Sequence, residues 1–265
     1  MTALATTAST AVADTTPVRD AASSAVVLDG LGKHFGANPV LDGITLDIAP
    51  GEFVCLLGAS GCGKSTLLNV VAGLEEPTAG TVSVAGGRAG LMFQEPALLP
   101  WLTAGQNVEL ALRLRGVPRR ERRERAAELL GLVRLEGSYG LRPHELSGGM
   151  RQRVAMARAL ALDTQVLLMD EPFAALDAIT RDVLHAELLR VWEATGLTVV
   201  FVTHNVREAV RLGQRVLLMS SRPGRIVAEY PVRIDGERRI ESPQVAKLAI
   251  TITDRLGEEI RRHAR

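Results

Sequence analysis

The stretch Gly58-Ala59-Ser60-Gly61-Cys62-Gly63-Lys64-Ser65 constrains this chain more than any other. It follows an unbroken apolar run, Phe53 to Leu57, and precedes a helical pattern from Thr66 to Gly73. The spacing G-x-x-x-x-G-K-[ST] between a strand and a helix is that of a phosphate-binding loop. Its glycines let backbone N–H groups turn inward around phosphate oxygens, and the helix N-terminus adds partial positive charge. Lys64 is expected to reach the β- and γ-phosphates of a bound nucleotide, and Ser65 to ligate Mg²⁺. Cys62 stands beside a helix N-terminus, a position that favours a thiolate, but the pattern assigns it no chemistry.

The surrounding pattern is that of an α/β protein. Val166 to Met169, Thr198 to Val202 and Val216 to Met219 are, like Phe53 to Leu57, apolar without alternation. Such runs fit strands buried on both faces of a mostly parallel sheet. Ile44, Leu46 and Ile48 alternate with Thr45 and Asp47, and Val82 and Val84 flank Ser83, which predicts an antiparallel β portion near the N-terminus. Between Gln94 and about residue 162 strands give way to helical patterns at Asn107 to Leu114, Arg119 to Leu132 and Met150 to Leu162. This predicts an inserted helical subdomain, docked on the sheet domain rather than woven into it. Residues 1–24, rich in Ala, Thr and Ser, read as a disordered tail, and residues 233–265 as a helical extension. In that extension Ser242 caps a helix whose apolar face is Val245, Leu248, Ala249, Ile252, Leu256 and Ile260.

Two acids close one strand and a histidine follows another. Asp170 sits where a carboxylate beside a phosphate loop holds Mg²⁺ through its water shell, and Glu171 is placed to orient or deprotonate an attacking water. His204 follows Thr203 after the run Thr198 to Val202; spacing alone leaves it open between a γ-phosphate contact and a structural role.

With Leu146-Ser147-Gly148-Gly149-Met150-Arg151-Gln152-Arg153 in place, the chain resembles ABC transporter ATP-binding subunits from about Val27 to Val232. The resemblance implies a P-loop ATPase core with a helical subdomain, spanning residues 25–232, that works as a head-to-tail dimer on ATP and Mg²⁺. Gly58 to Thr66 corresponds to the Walker A loop and Gln94 to a glutamine that touches the Mg²⁺ shell and senses the membrane partner. Asp170 and Glu171 correspond to the Walker B aspartate and catalytic glutamate, Asp177 to the D-loop, His204 to the switch histidine and Phe35 to an aromatic stacked on adenine. Ser147, Gly148 and Gly149 open a helix and form a second anion site, which makes sense if it grips the γ-phosphate held by an opposite subunit. Ala59, Ala174 and Asn205 depart from the family's commoner residues without removing a phosphate, metal or water contact.

Phe93-Gln94-Glu95-Pro96-Ala97-Leu98-Leu99-Pro100-Trp101 resembles the importers for nitrate, sulfonates and taurine, as do Asp177 to Arg181 and Ser221 to Ile226, the last being also an ordinary hairpin turn. Relatives in that branch carry bicarbonate, riboflavin or pyrimidine precursors too. Leu99 and Trp101 are either an anchor for a membrane subunit or packing inside the helical subdomain. Implied partners are a second copy, two transmembrane permease subunits and, indirectly, a solute-binding protein outside the cell.

Composition limits the remaining choices. No run approaches the roughly 18 apolar residues that read as a membrane span, the N-terminus lacks a signal-peptide pattern, and the two cysteines make no disulfide framework. A peripheral protein on the cytoplasmic face of the membrane is the expectation. A net charge of +1 gives no global field toward nucleic acid. The seven arginines from Arg113 to Arg125 are interleaved with glutamates, including an expected Glu121–Arg125 pair, and no aromatics accompany them, so a solvated helix face outweighs a lipid contact or nucleic-acid binding. Rival readings are a soluble ATPase of the same type and a small-molecule kinase; Ser147 and Glu171 argue against the kinase.

Overall fold

The computed structural model describes residues 24–263 apart from Asp235 and Glu237. The expected tail, residues 1–24, lies outside the described residues except for Ser24, which donates a hydrogen bond to Asp47 (2.7 Å).

Strands β1 (Val26–Phe35) and β2 (Asn38–Ile48) form an antiparallel hairpin, and β4 (Ala79–Val84) flanks β1 to give a three-stranded sheet ordered β2-β1-β4. A second sheet has the order β5-β6-β7-β3-β8-β9. It comprises β3 (Phe53–Leu57), β5 (Gly90–Met92), β6 (Val166–Asp170), β7 (Thr198–Val202), β8 (Arg215–Met219) and β9 (Ile226–Pro231). All its pairings are parallel except β8 with β9.

The central strand explains why its sequence does not alternate. Phe53, Cys55 and Leu57 point into one core, which they share with helices; Val54 and Leu56 point into another, which they share with the antiparallel sheet. Every residue of β3 is therefore buried, and both faces select apolar side chains.

The helices are α1 (Lys64–Val71), α2 (Ala104–Leu114), α3 (Arg119–Leu132), α4 (Gly148–Leu160), α5 (Ala178–Thr195), α6 (Val206–Leu212) and α7 (Pro243–His263). The start of α2 precedes the apolar periodicity by three residues, because Thr103 and Gln106 form a reciprocal capping box. Helices α2, α3 and α4 share one continuous core with β3, β6 and β7: Val108, Leu130 and Met156 belong to the same cluster as Phe53, Leu167 and Phe201. In α3 the expected Glu121–Arg125 pair does not form. Arg125 turns instead to Glu128 (3.7 Å) and Arg120 to Glu121 (3.3 Å), both at exposed positions where such pairs contribute little. In α7, Val245, Ala249 and Ile252 are buried against the domain while Ile260 stays exposed.

Candidate nucleotide site

Strands β6, β7 and β3 are adjacent and parallel, so their carboxyl ends bring three loops together. From β3 comes the phosphate loop, from β6 the pair Asp170 and Glu171, and from β7 the pair Thr203 and His204. Backbone bonds register them: Glu171 N donates to Val202 O (3.0 Å), and Thr203 N to Leu56 O (3.2 Å). This is the crevice at strand carboxyl ends where open α/β sheets bind ligands.

The loop's shape depends on two glycines. A Cβ at Gly58 would lie 2.7 Å from Cys62 Sγ and 3.1 Å from Met219 Cβ. Gly63 precedes α1 with φ of 105°, and a Cβ there would lie 2.8 Å from Leu41 Cδ2. Lys64 is buried, and its ammonium folds back over the loop, donating to Gly58 O (2.9 Å) and Ala59 O (3.1 Å). A cavity of about 370 Å³ opens beside it. Phe35, Ser60, Gly61, Gly63, Lys64, Ser65, Thr66 and Glu171 from the sequence-based set line this cavity, together with Asn38, Val40 and Arg222. The Phe35 ring is half exposed at the rim, with Lys33 Nζ 4.9 Å from its centroid. A larger, mainly apolar cavity of about 480 Å³ lies at the other ends of the strands, beside Gln165 and Thr198, away from these groups.

Glu171 and His204 meet directly, Oε2 to Nδ1, at 2.8 Å. Glu171 has φ of 45°, an uncommon backbone setting for a glutamate, which turns it away from the β6 axis that Asp170 continues. Behind this pair lies a buried polar chain that the sequence reading missed. Thr203 Oγ1 donates to Glu208 on α6, and His185 Nε2 on α5 lies 2.5 Å from the same carboxylate. All three are buried. No local pattern announces it, because its members are 18 and 5 residues apart in sequence. Asn205, where an acid is commoner, still caps α6 by accepting from Arg207 N (3.0 Å) and Glu208 N (3.2 Å).

Ser65, Asp170 and Gln94 offer a hydroxyl, a carboxylate and an amide, all hard oxygen donors. Among the described residues, no group of three or more His, Cys, Asp or Glu gathers to hold a metal by protein alone. That donor set fits Mg²⁺, which keeps water and phosphate oxygens in its shell. It does not fit a soft-metal cage.

Gln94, Ser147, Gly148, Gly149, Asp177 and Cys62 are not among the residues that line the cavity. Gln94 is exposed, with its backbone carbonyl held by the buried Gln152 side chain (2.9 Å), another partner the sequence reading missed. Exposed Ser147 caps α4 by accepting from Met150 N (3.2 Å), and Gly148 and Gly149 form its first turn. A Cβ on Gly149 would lie 2.7 Å from Thr180 Cγ2, so the α4 N-terminus packs on the start of α5. Asp177 caps α5 through Thr180 N (2.9 Å), and the donated hydrogen bonds hold its carboxyl below the usual carboxylate range. Cys62 corrects the thiolate expectation: it is buried, and desolvation raises its pKa more than Lys64 and nearby N–H groups lower it.

Comparison with known proteins completes the picture. The chain is 46% identical over 239 residues to the taurine import ATP-binding protein TauB of Burkholderia pseudomallei, covering 84% of this chain and 92% of that protein. It is 44% identical over 228 residues to the nitrate import ATP-binding protein NrtD of a Synechocystis strain, covering 82% and 84%. Among solved structures, a dimeric post-hydrolysis state of the ATP-binding cassette MJ0796 bound to ADP and Pi superposes with a TM-score of 0.68 at 36% identity, over 79% of this chain and 99% of that one. The family profile described as ABC transporter matches residues 41–174, and with relatives of this identity and coverage the chain belongs to the ABC transporter family.

Proposed function

We propose that this chain is the ATP-hydrolysing, energy-coupling subunit of an importer for a small oxyanion-bearing solute such as taurine, another sulfonate or nitrate. One observation carries the chemistry: a single cavity joins an exposed aromatic, the phosphate loop with Lys64, and a glutamate hydrogen-bonded to His204. The importer assignment rests on the relatives' names.

Phe35 stacks on adenine at the cavity rim. Backbone N–H groups from Gly58 to Thr66, including those of Ala59, Ser60, Gly61, Cys62 and Gly63, cradle the phosphates, and Lys64 leaves its carbonyl partners to meet the β- and γ-phosphates. Ser65, Asp170 and Gln94 would hold Mg²⁺, which would offset phosphate charge. Glu171 orients a water in line with the γ-phosphate and takes its proton, while His204 holds Glu171 in place and contacts the γ-phosphate.

The site is completed by a second copy, whose Ser147, Gly148 and Gly149 supply the N-terminus of α4 and whose Asp177 lies at the seam. The exposure of Ser147 beside free helix N–H groups supports this reading. Residues 94–162 form a helical subdomain within an ATPase domain of residues 25–232, with residues 233–265 as an extension. Two such subunits dock from the cytoplasm under two permease subunits, with solute delivered by an extracytoplasmic binding protein. Phe93, Trp101 and Leu114 are exposed apolar groups around the Gln94 segment and provide the docking patch. Among the described residues no helix is long and apolar enough to cross a membrane.

The test is Glu171→Gln, assayed for phosphate release and for ATP-dependent dimerisation by size exclusion. Phosphate release is expected to fall by at least about 100-fold, with ATP binding retained and a dimer trapped. Turnover within a few-fold of the parent would remove Glu171 from the assigned role.

A further inference from the structure

The turn joining β8 to β9, Ser220 to Arg225, takes no part in the chemistry above, yet it grips the phosphate loop. Its own hydrogen bonds set its shape. Ser220 Oγ donates to Pro223 O (2.9 Å) and accepts from Arg225 N (2.9 Å), while Ser220 N donates to Arg225 O (2.9 Å).

On one side the turn is fastened to β2. Gly224 N donates to Val40 O (2.8 Å), Asp42 N donates to Gly224 O (3.1 Å), and Arg225 Nε donates to Asp42 Oδ2 (3.0 Å). On the other side it meets the loop. Arg222 Nε donates to Gly61 O (2.8 Å), and a Cβ on Gly224 would lie only 2.3 Å from Cys62 O. Glycine at 224 is therefore what lets the turn lie flat against the loop. The planar peptide between Gly61 and Cys62 is held at both ends: its carbonyl by Arg222 and its N–H by Ala59 O (3.3 Å).

We propose that Arg222 is a positioning residue for the nucleotide phosphates. It braces the crest of the loop, so that the N–H groups after Gly61 are oriented before ligand arrives and less ordering cost falls on binding. Arg222 also lines the cavity, as do Asn38 and Val40 of the strand to which the turn is fastened. The turn thus links the rim strand and the phosphate loop into one unit. This inference rests on reading the cavity as the ATP site.

The experiment uses the full chain and a fluorescent ATP analogue at equilibrium, with steady-state phosphate release alongside. Arg222→Met keeps length and removes the donor; Arg222→Lys restores a donor for the single carbonyl contact. Arg222→Met is expected to raise Kd and KM about tenfold while kcat at saturating ATP falls no more than about threefold, and Arg222→Lys to recover most of the affinity. The melting temperature without nucleotide is expected to change little in both variants. Binding by Arg222→Met within twofold of the parent overturns the proposal. So does a loss of affinity that follows a lowered melting temperature and is not recovered by lysine. Lys64→Ala separates the two levels of the reading: if it also binds like the parent, the cavity is not the ATP site and both fall. If Lys64→Ala alone loses binding, only the role of Arg222 falls.

Discussion

Cys62 packs beneath the phosphate loop with its Sγ 3.9 Å from Lys64 Nζ, and burial outweighs that ammonium in setting its proton affinity. Alkylation requires the thiolate. At pH 8.5, iodoacetamide is therefore expected to modify Cys62 in the native chain more than about tenfold more slowly than in urea, read by peptide mass spectrometry. Equal rates would show that the sulfur is reached and ionised in the folded state. Gly63 makes the companion point. The motif requires glycine there, but the cause is the approach of Leu41 and Val40 from β2 as well as the left-handed φ. A strand distant in sequence closes the loop from above, so the motif records a contact it does not display.

Among the elements, α5 matters most beyond its own packing. Its N-cap is Asp177 and its middle carries His185, which reaches Glu208 of α6 and through it Thr203, the residue before His204. The helix that Asp177 caps and the residue before His204 thus share one buried polar chain. Removing the imidazole strands the Glu208 carboxylate in the core with Thr203 as its remaining side-chain partner. His185→Ala is expected to cost about 2–4 kcal/mol in urea unfolding, and His185→Gln less than half of that, because an amide can still donate to the carboxylate. Equal losses for both variants would show that packing against Phe173, 5.7 Å away ring to ring, is what His185 contributes.

In the molecule as a whole, helices α2 to α4 share their core with the parallel sheet, and the Gln152 side chain of α4 holds the Gln94 carbonyl. Trp101 is not packed inside the helical subdomain: 66% of it faces outward. Trp101→Ala is expected to leave ATP turnover of the isolated subunit within about twofold of the parent. It should sharply reduce recovery of the permease subunits in a detergent pull-down. Undiminished recovery would move the docking patch elsewhere.

The parallel sheet, the phosphate loop and the acids after β6 were legible because each is a local pattern with a local cause: two-sided burial, backbone N–H groups gathered by glycine, a carboxylate at a strand end. Strand β1 escaped notice because its register shifts between Leu28 and Leu31 and between Leu31 and Lys33 break the alternation. Strand β5, three residues long, was too short to show a period. Chain order alone pointed to a phosphate-binding loop and to candidate residues around it. What folding in three dimensions added was who holds whom: Arg222 on Gly61, Glu208 between His185 and Thr203, and His204 on Glu171. Those contacts join residues 5 to 161 positions apart. Hydrogen bonds are short-ranged and directional, so only the folded path of the backbone selects which of many possible partners meet.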